Sequence, residues 1–211
     1  MKKILLSQRL IQNPSYPEIR EALDIQWGAF LSKCGLLPIA LSFKAPLDEY
    51  FRLIKPDGVL LTGGNDLASL NPTDPLCKMR DEFESRLIEI AVKSKIPLLG
   101  VCRGAQMVAH FFGSTFKKRD GHVGINHRVR FQGRGIFEAN YSQKTLVNSY
   151  HGFCIQSTGK ELLTEGIVET DQTVEAFSHK SLPIFGMMWH PERVDPFLVS
   201  DISFFKKIFK A

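Results

Sequence analysis

Short apolar runs alternate with segments whose apolar positions recur every three or four residues, which predicts strands alternating with helices in a mostly parallel α/β sheet. Strands are expected at residues 3–8, 37–43, 58–62 and 97–101. A helix is expected over 18–34, with Ile19, Leu23, Trp27, Phe30 and Leu31 on one face, and a short one over 47–54. Residues 65–79, rich in Asn, Asp and Pro, read as an extended loop. Asp81 with Glu84 three residues on has the form of a capping box, predicting a helix over 81–95 that turns Phe83, Leu87, Ile90 and Ala91 inward. A further helix is expected over 104–112, stopped by Gly113.

Beyond Gly113 the pattern changes. Strands at 127–132, 145–149, 161–169, 173–179 and 184–189 follow one another without long helices between them, an antiparallel extension of the same sheet, before a last helix over 196–210. No repeat, low-complexity tract or linker interrupts the pattern, so one domain spanning 1–211 is expected.

Composition narrows the function classes only a little. A chain of 211 residues, 44% hydrophobic and 23% charged, is ordinary for a globular protein and can bury a full core. The net charge of +5 suits an anionic small molecule about as well as plain solubility, and is too scattered to argue for nucleic acid. Met1-Lys2-Lys3 before Ile4-Leu5-Leu6 imitates the start of a signal peptide, but the apolar run ends at Ser7, so a first buried strand is expected. No stretch approaches membrane-spanning length. Cys34, Cys77, Cys102 and Cys154 are widely separated and form no C-x-x-C pair; free thiols in a reducing cytoplasm are the expectation.

The sharpest chemical signal is Gly100-Val101-Cys102-Arg103-Gly104, where a buried strand runs directly into a helix. Flanking glycines permit the sharp turn of a nucleophile elbow, and a helix N-terminus favours thiolate. The same pattern also suits a structural cysteine in a tight turn. Thr62-Gly63-Gly64-Asn65 ends another strand, and paired glycines let main-chain N–H groups approach a developing oxyanion. The N–H of Arg103 would be the second donor, though T-G-G-N is equally a good turn sequence. The third signal is His190-Pro191-Glu192 at the end of a strand, where the carboxylate would orient an imidazole acting as base.

Together these stretches resemble the class I glutamine amidotransferase family, with its flavodoxin-like fold, over essentially the whole chain. The resemblance implies a triad of Cys102, His190 and Glu192 and an oxyanion site at Gly63, Gly64 and Arg103. Within that family the chain is most similar to γ-glutamyl hydrolases of the peptidase C26 type, related to γ-glutamyl-γ-aminobutyrate hydrolase. Arg80-Asp81 with Phe83-Glu84, the loop before them, and Asn148-Ser149-Tyr150-His151-Gly152 carry that likeness. Gln106, His127, Asn148, Ser149, Tyr150 and His151 are the implied substrate contacts. Met188 and Phe153 stand where such proteins commonly have Gln, which points to a different leaving group.

The implied reaction is cleavage of a γ-glutamyl amide through a thioester, with no cofactor. His122, His127 and His151 have no spacing with carboxylates that would announce a metal, so none is expected. Lys117, Lys118, Arg119, Arg128, Arg130 and Arg134 form a basic stretch, read either as a charged edge strand or as a phosphate-receiving patch centred on Arg128 and Arg130. The latter suits a small nucleotide-linked γ-glutamyl substrate, and the resemblance extends to hydrolases of such amidates in capsular phosphoramidate pathways. A glutaminase subunit serving a separate synthase, and a silent binding module on the same fold, remain rival readings.

Overall fold

A computed structural model of the chain describes residues 1–132, 135–141 and 144–211. Its frame is a parallel sheet built from β1 (Lys2–Leu6), β4 (Leu36–Ala40), β5 (Gly58–Leu61), β6 (Leu98–Val101) and β13 (Ile184–Met187), in the order β4-β1-β5-β6-β13. β5 and β6 are buried at every position, as strands covered on both faces must be. From β13 the sheet continues antiparallel through β12 (Val174–His179), β11 (Leu162–Val168), β8 (Val123–Phe131) and β9 (Lys144–Tyr150). The expected parallel sheet with an antiparallel extension is therefore present, except that the strand expected at 184–189 within the extension is β13, which pairs parallel with β6 and completes the parallel frame.

Two apolar layers cover the sheet. On one face Trp27 and Phe30 of α1 (Gln26–Lys33) meet Phe204, Phe205 and Phe209 of α5 (Val199–Phe209). On the other, Leu87, Ile88 and Ala91 of α3 (Pro75–Ser94) pack with Met107 and Val108 of α4 (Arg103–Phe111). The short α2 (Leu47–Ile54) flanks that second layer through Leu47.

Several expectations need correction. Residues 18–34 are not one helix: β2 (Arg9–Gln12) pairs with β3 (Ile19–Ala22) as a separate hairpin, and only Gln26–Lys33 is helical. Ile19 is exposed, so the buried stripe is carried by Trp27, Phe30 and Leu31 alone and does not reach back to residue 19. Glu21 instead accepts hydrogen bonds from the Ser42 hydroxyl (3.0 Å) and the Phe43 amide (2.7 Å), an anchor that requires an extended chain. The third helix begins at Pro75, capped by Asp74, whose carboxylate accepts from the Leu76 amide at 2.9 Å. Asp81 and Glu84 imitate a capping box but lie inside the helix, bound to arginines. The last helix starts at Val199 rather than 196. Besides the hairpin strands, two more are not announced by the sequence: β7 (Thr115–Lys118), whose lysines mask its pattern, and β10 (Phe153–Ser157), which pair with each other.

The strand-to-helix turn after β6 depends on close backbone approach. A Cβ on Gly100 would sit 2.4 Å from the Gly104 carbonyl oxygen, and one on Gly104 would sit 2.1 Å from that of Leu61. Gly104→Ala is therefore expected to destabilise the fold by about 1–3 kcal/mol through overpacking. Gly28→Ala, in α1 with open space around it, should instead be neutral or stabilising by up to about 1 kcal/mol. Urea melts of the two variants check the contrast.

Candidate active site

β5, β6 and β13 are adjacent and parallel, so their carboxyl ends open on one edge, where sheets of this kind bind ligands. Those ends carry Gly63 and Gly64, Cys102, and His190 respectively. Cys102 adopts φ 52° and ψ −110°, outside the region a cysteine ordinarily occupies. Its amide donates to the Met187 carbonyl at 2.8 Å, so sheet pairing runs up to the turn itself. An α-carbon away, the Arg103 amide donates to the thiol.

His190 faces Cys102 across Gly63: a Cβ there would stand 2.8 Å from His190 Cε1 and 3.7 Å from Cys102 Cβ. Glycine is required because ring and thiol close over it. His190 Nδ1 lies 2.7 Å from Glu192 Oε1, both side chains buried. Burial alone would raise the Cys102 thiol, but the charge and hydrogen bond of His190, the charge of His151 and the Arg103 amide outweigh it and lower the pKa. Burial likewise opposes charge on His190, yet Cys102 and Glu192 lift it to about 9. The coupling of the two groups therefore favours the thiolate–imidazolium form of the pair.

The glycine loop is held by one side chain. Arg80, fully buried, donates to the carbonyls of Thr62 (2.7 Å) and Gly63 (3.0 Å) and to that of Gly64. In a planar trans peptide the N–H points opposite to the C=O. Tying down the Thr62 and Gly63 carbonyls thus turns the Gly63 and Gly64 amides the other way, and neither is hydrogen-bonded among the described residues. Glu84 binds Arg80 Nε at 2.9 Å and Arg103 with its other oxygen, while Asp81 takes a second Arg103 nitrogen. Burial pulls Arg80 down to about 10 against the opposing charge of Glu84, which leaves it a cation.

Residues expected to touch substrate divide into two groups. Asn148 spends both ends of its amide on the backbone of His190, accepting from its N–H at 2.7 Å and donating to its carbonyl at 2.8 Å. Gln106 donates to the Phe153 carbonyl at 2.7 Å, and the Ser149 hydroxyl donates to that of His122 at 2.6 Å. Tyr150 is exposed, edge-on to the His190 ring at 5.7 Å, with the Arg193 guanidinium over its own ring at 4.8 Å. His127 and His151 turn away into a buried cluster with His122 and Glu175.

A cavity of ≈ 240 Å³ opens beside His190, lined by Thr62, Gly63, Gly64, His190 and Glu192 on one side; Cys102 lies behind Gly63 and His190 and is not part of its lining. The β2–β3 hairpin supplies Arg9, Ile11 and Ala22, and Arg193 closes the rim. The hairpin is clamped there by Asn65, which accepts from the Leu10 amide and donates to its carbonyl, both at 3.0 Å. The hairpin thus builds the wall of the cavity opposite His190, and Arg9 and Arg193 are cations that the sequence pattern did not single out. Adjacency of Arg193 to the H-P-E run was the one available signal. Arg128 and Arg130 do not line the cavity; they lie on β8 near Glu169, which Lys144 binds at 2.7 Å. Arg134 lies outside the described residues.

Residues 11–192 match the model of the peptidase C26 family. The chain is 43% identical over 191 residues to the gamma-glutamyl-CDP-amidate hydrolase of Campylobacter jejuni subsp. jejuni serotype O:2, covering 89% of this chain and 88% of that protein. It is 33% identical over 162 residues to the pyrimidine-specific small chain of carbamoyl phosphate synthase from Bacillus subtilis, covering 76% of this chain and 39% of that one. A solved glutamine amidotransferase from Thermotoga maritima superposes with a TM-score of 0.68 at 19% identity, covering 99% of this chain and 84% of that one, a likeness of fold.

The lowered Cys102 thiol has a direct readout. Alkylation of Cys102 by iodoacetamide, followed by mass spectrometry against pH, should titrate below the ordinary thiol value of 9.0. In His190→Ala the uncompensated burial should move the midpoint above that value. Cys34, pushed up to about 12 chiefly by burial, should stay unmodified in the same digest. A wild-type midpoint at or above the ordinary value would rule out the lowered thiol.

Proposed function

The chain belongs to the peptidase C26 family, a family of glutamine amidotransferase-like hydrolases, and from that premise we propose that it hydrolyses γ-glutamyl-CDP-amidate to glutamate and cytidine diphosphoramidate. The observation that carries the reading is the placement of Cys102 and His190 against Gly63, with Glu192 behind the ring and the Gly63 and Gly64 amides without a hydrogen bond among the described residues. Similarity to the Campylobacter enzyme over nearly the whole of both chains supports the substrate. The product would serve modification of a capsular polysaccharide.

In this mechanism Cys102 attacks the γ-carbonyl, and the oxygen's developing charge is met by the amides of Gly63, Gly64 and Arg103. The imidazolium of His190 gives its proton to the departing phosphoramidate nitrogen, leaving a glutamyl thioester. Neutral His190 then takes a proton from water as it attacks, and the thiolate leaves to restore the pair. Glu192 holds the ring and steadies its charge. Tyr150 is the predicted glutamyl contact open to substrate, whereas Gln106, Asn148 and Ser149 act at one remove by fixing the backbone around it. Arg9 and Arg193 at the cavity rim receive the diphosphate, a role Arg suits by its forked geometry.

Two measurements test this. Cys102→Ala should lower kcat by at least about a thousand-fold on γ-glutamyl-CDP-amidate. In a panel with glutamine and a γ-glutamyl amine, faster glutamine turnover that rises further with a synthase partner would instead indicate a glutaminase subunit. Arg9→Ala and Arg193→Ala should each raise KM for the nucleotide substrate roughly ten-fold, on the scale of one lost charge-assisted contact, and leave KM for a γ-glutamyl amine unchanged. Arg128→Ala with Arg130→Ala should change neither; a larger effect there would return the diphosphate to β8.

A further inference from the structure

His122, His127, His151 and Glu175 are separated in sequence by tens of residues in places, yet their donor atoms all lie within 4.8 Å of one another, and all four side chains are buried. They come from the segment before β8, from β8, from the turn between β9 and β10, and from β12. No local spacing joins them, which is why the sequence pattern announced no metal; the sheet's antiparallel half brings them together.

The unpaired atoms point to a missing partner. Among the described residues, His122 Nδ1, both nitrogens of His127, His151 Nε2 and both oxygens of Glu175 are buried without a hydrogen bond. His127 Nε2 and His151 Nε2 each approach a Glu175 oxygen to 3.3 Å, but outside hydrogen-bonding geometry. Six buried polar atoms in one spot with no well-directed hydrogen bond among the described residues, four of them held only by the 3.3 Å His–Glu175 approaches, is far from the usual satisfaction of protein interiors. Donors about 2.1 Å from a tetrahedral zinc ion stand about 3.4 Å apart, which matches the 3.3 Å approaches.

The surroundings have the character of a metal site as well. His122 presents its other nitrogen to Asp171 Oδ2 at 2.9 Å, and His151 presents its Nδ1 to the Phe153 carbonyl at 3.1 Å. Metal-binding histidines are oriented in this way, by a carboxylate or carbonyl on the far side of the ring. The backbone is pinned too: the His151 amide donates to the His122 carbonyl at 3.1 Å.

We infer that His122 Nδ1, His127 Nε2, His151 Nε2 and the Glu175 carboxylate bind one divalent transition-metal ion of the zinc class. Three imidazoles and a carboxylate suit zinc, and four protein ligands leave no open position, so the ion is structural. It ties β8 and β12 to the turn after β9, the strand whose Asn148 holds the His190 backbone. This inference does not rest on the hydrolase reading.

The test uses the full chain, purified with its affinity tag removed, stripped with chelator and reconstituted with zinc or cobalt(II). Elemental analysis should find about one zinc per chain, and cobalt should give the intense visible bands of a tetrahedral ion. Glu175→Gln and His127→Ala, each checked for fold by circular dichroism, should cut bound metal at least about ten-fold, the scale seen when a site loses a ligand or its support. Cys102→Ser should retain it. Less than about a tenth of an equivalent in the wild type, equal binding in folded Glu175→Gln, or loss of the metal in Cys102→Ser would each overturn the site.

Discussion

One buried guanidinium sets the orientation on which the active edge depends. Arg80 holds three successive carbonyls of the glycine loop, and peptide planarity converts that grip into two amides facing the other way. Without a cation there, those carbonyls would be buried acceptors without donors. Glu84 balances the charge and, through its second oxygen, reaches Arg103, whose own amide touches the thiol. A single charged network therefore links the glycine loop after β5 to the Cys102 turn after β6. Breaking such a network from one side is costly because the remaining charge is stranded in a low-dielectric interior.

The second constraint is steric. Gly100, Gly104 and Gly63 each stand where a side chain would collide with main chain or with the His190 ring. These contacts bring three strand ends close enough for sulfur and imidazole to exchange charge. Burial penalises both ions, and their mutual attraction more than offsets the penalty. His190 is in turn positioned through its backbone by Asn148. Its neighbour Trp189 donates to Asp201 of α5 at 3.2 Å, so the last helix also steadies that end of β13.

The hairpin and the histidine cluster add features that the frame alone does not have. The hairpin roofs the cavity with Arg9 and is locked to the glycine loop by Asn65, so the cavity's cation and the Gly63 and Gly64 amides share one support. The cluster lies on the antiparallel side, beneath the segment that carries Tyr150 and Asn148. Rigid scaffolding on both flanks suits a site whose donors must already be in place when charge develops.

Local pattern was enough for the parallel strands, the elbow at Cys102, the glycines at 63 and 64 and the H-P-E run. Each depends on residues adjacent in the chain: a continuous apolar run, a glycine that permits a tight turn, a proline that fixes a strand end. Tertiary structure decided the rest. The stripe from Ile19 to Leu31 was helical in period, but Glu21 found better partners in an extended chain. Asp81 and Glu84 had the spacing of a cap, yet buried arginines claimed them. The residues about Asn148 were legible as important but not as supports, because what they hold lies some forty residues away. Likewise the meeting of His122, His127 and His151 with Glu175 is a property of strand pairing, which brings side chains together across distances that no window along the chain can span.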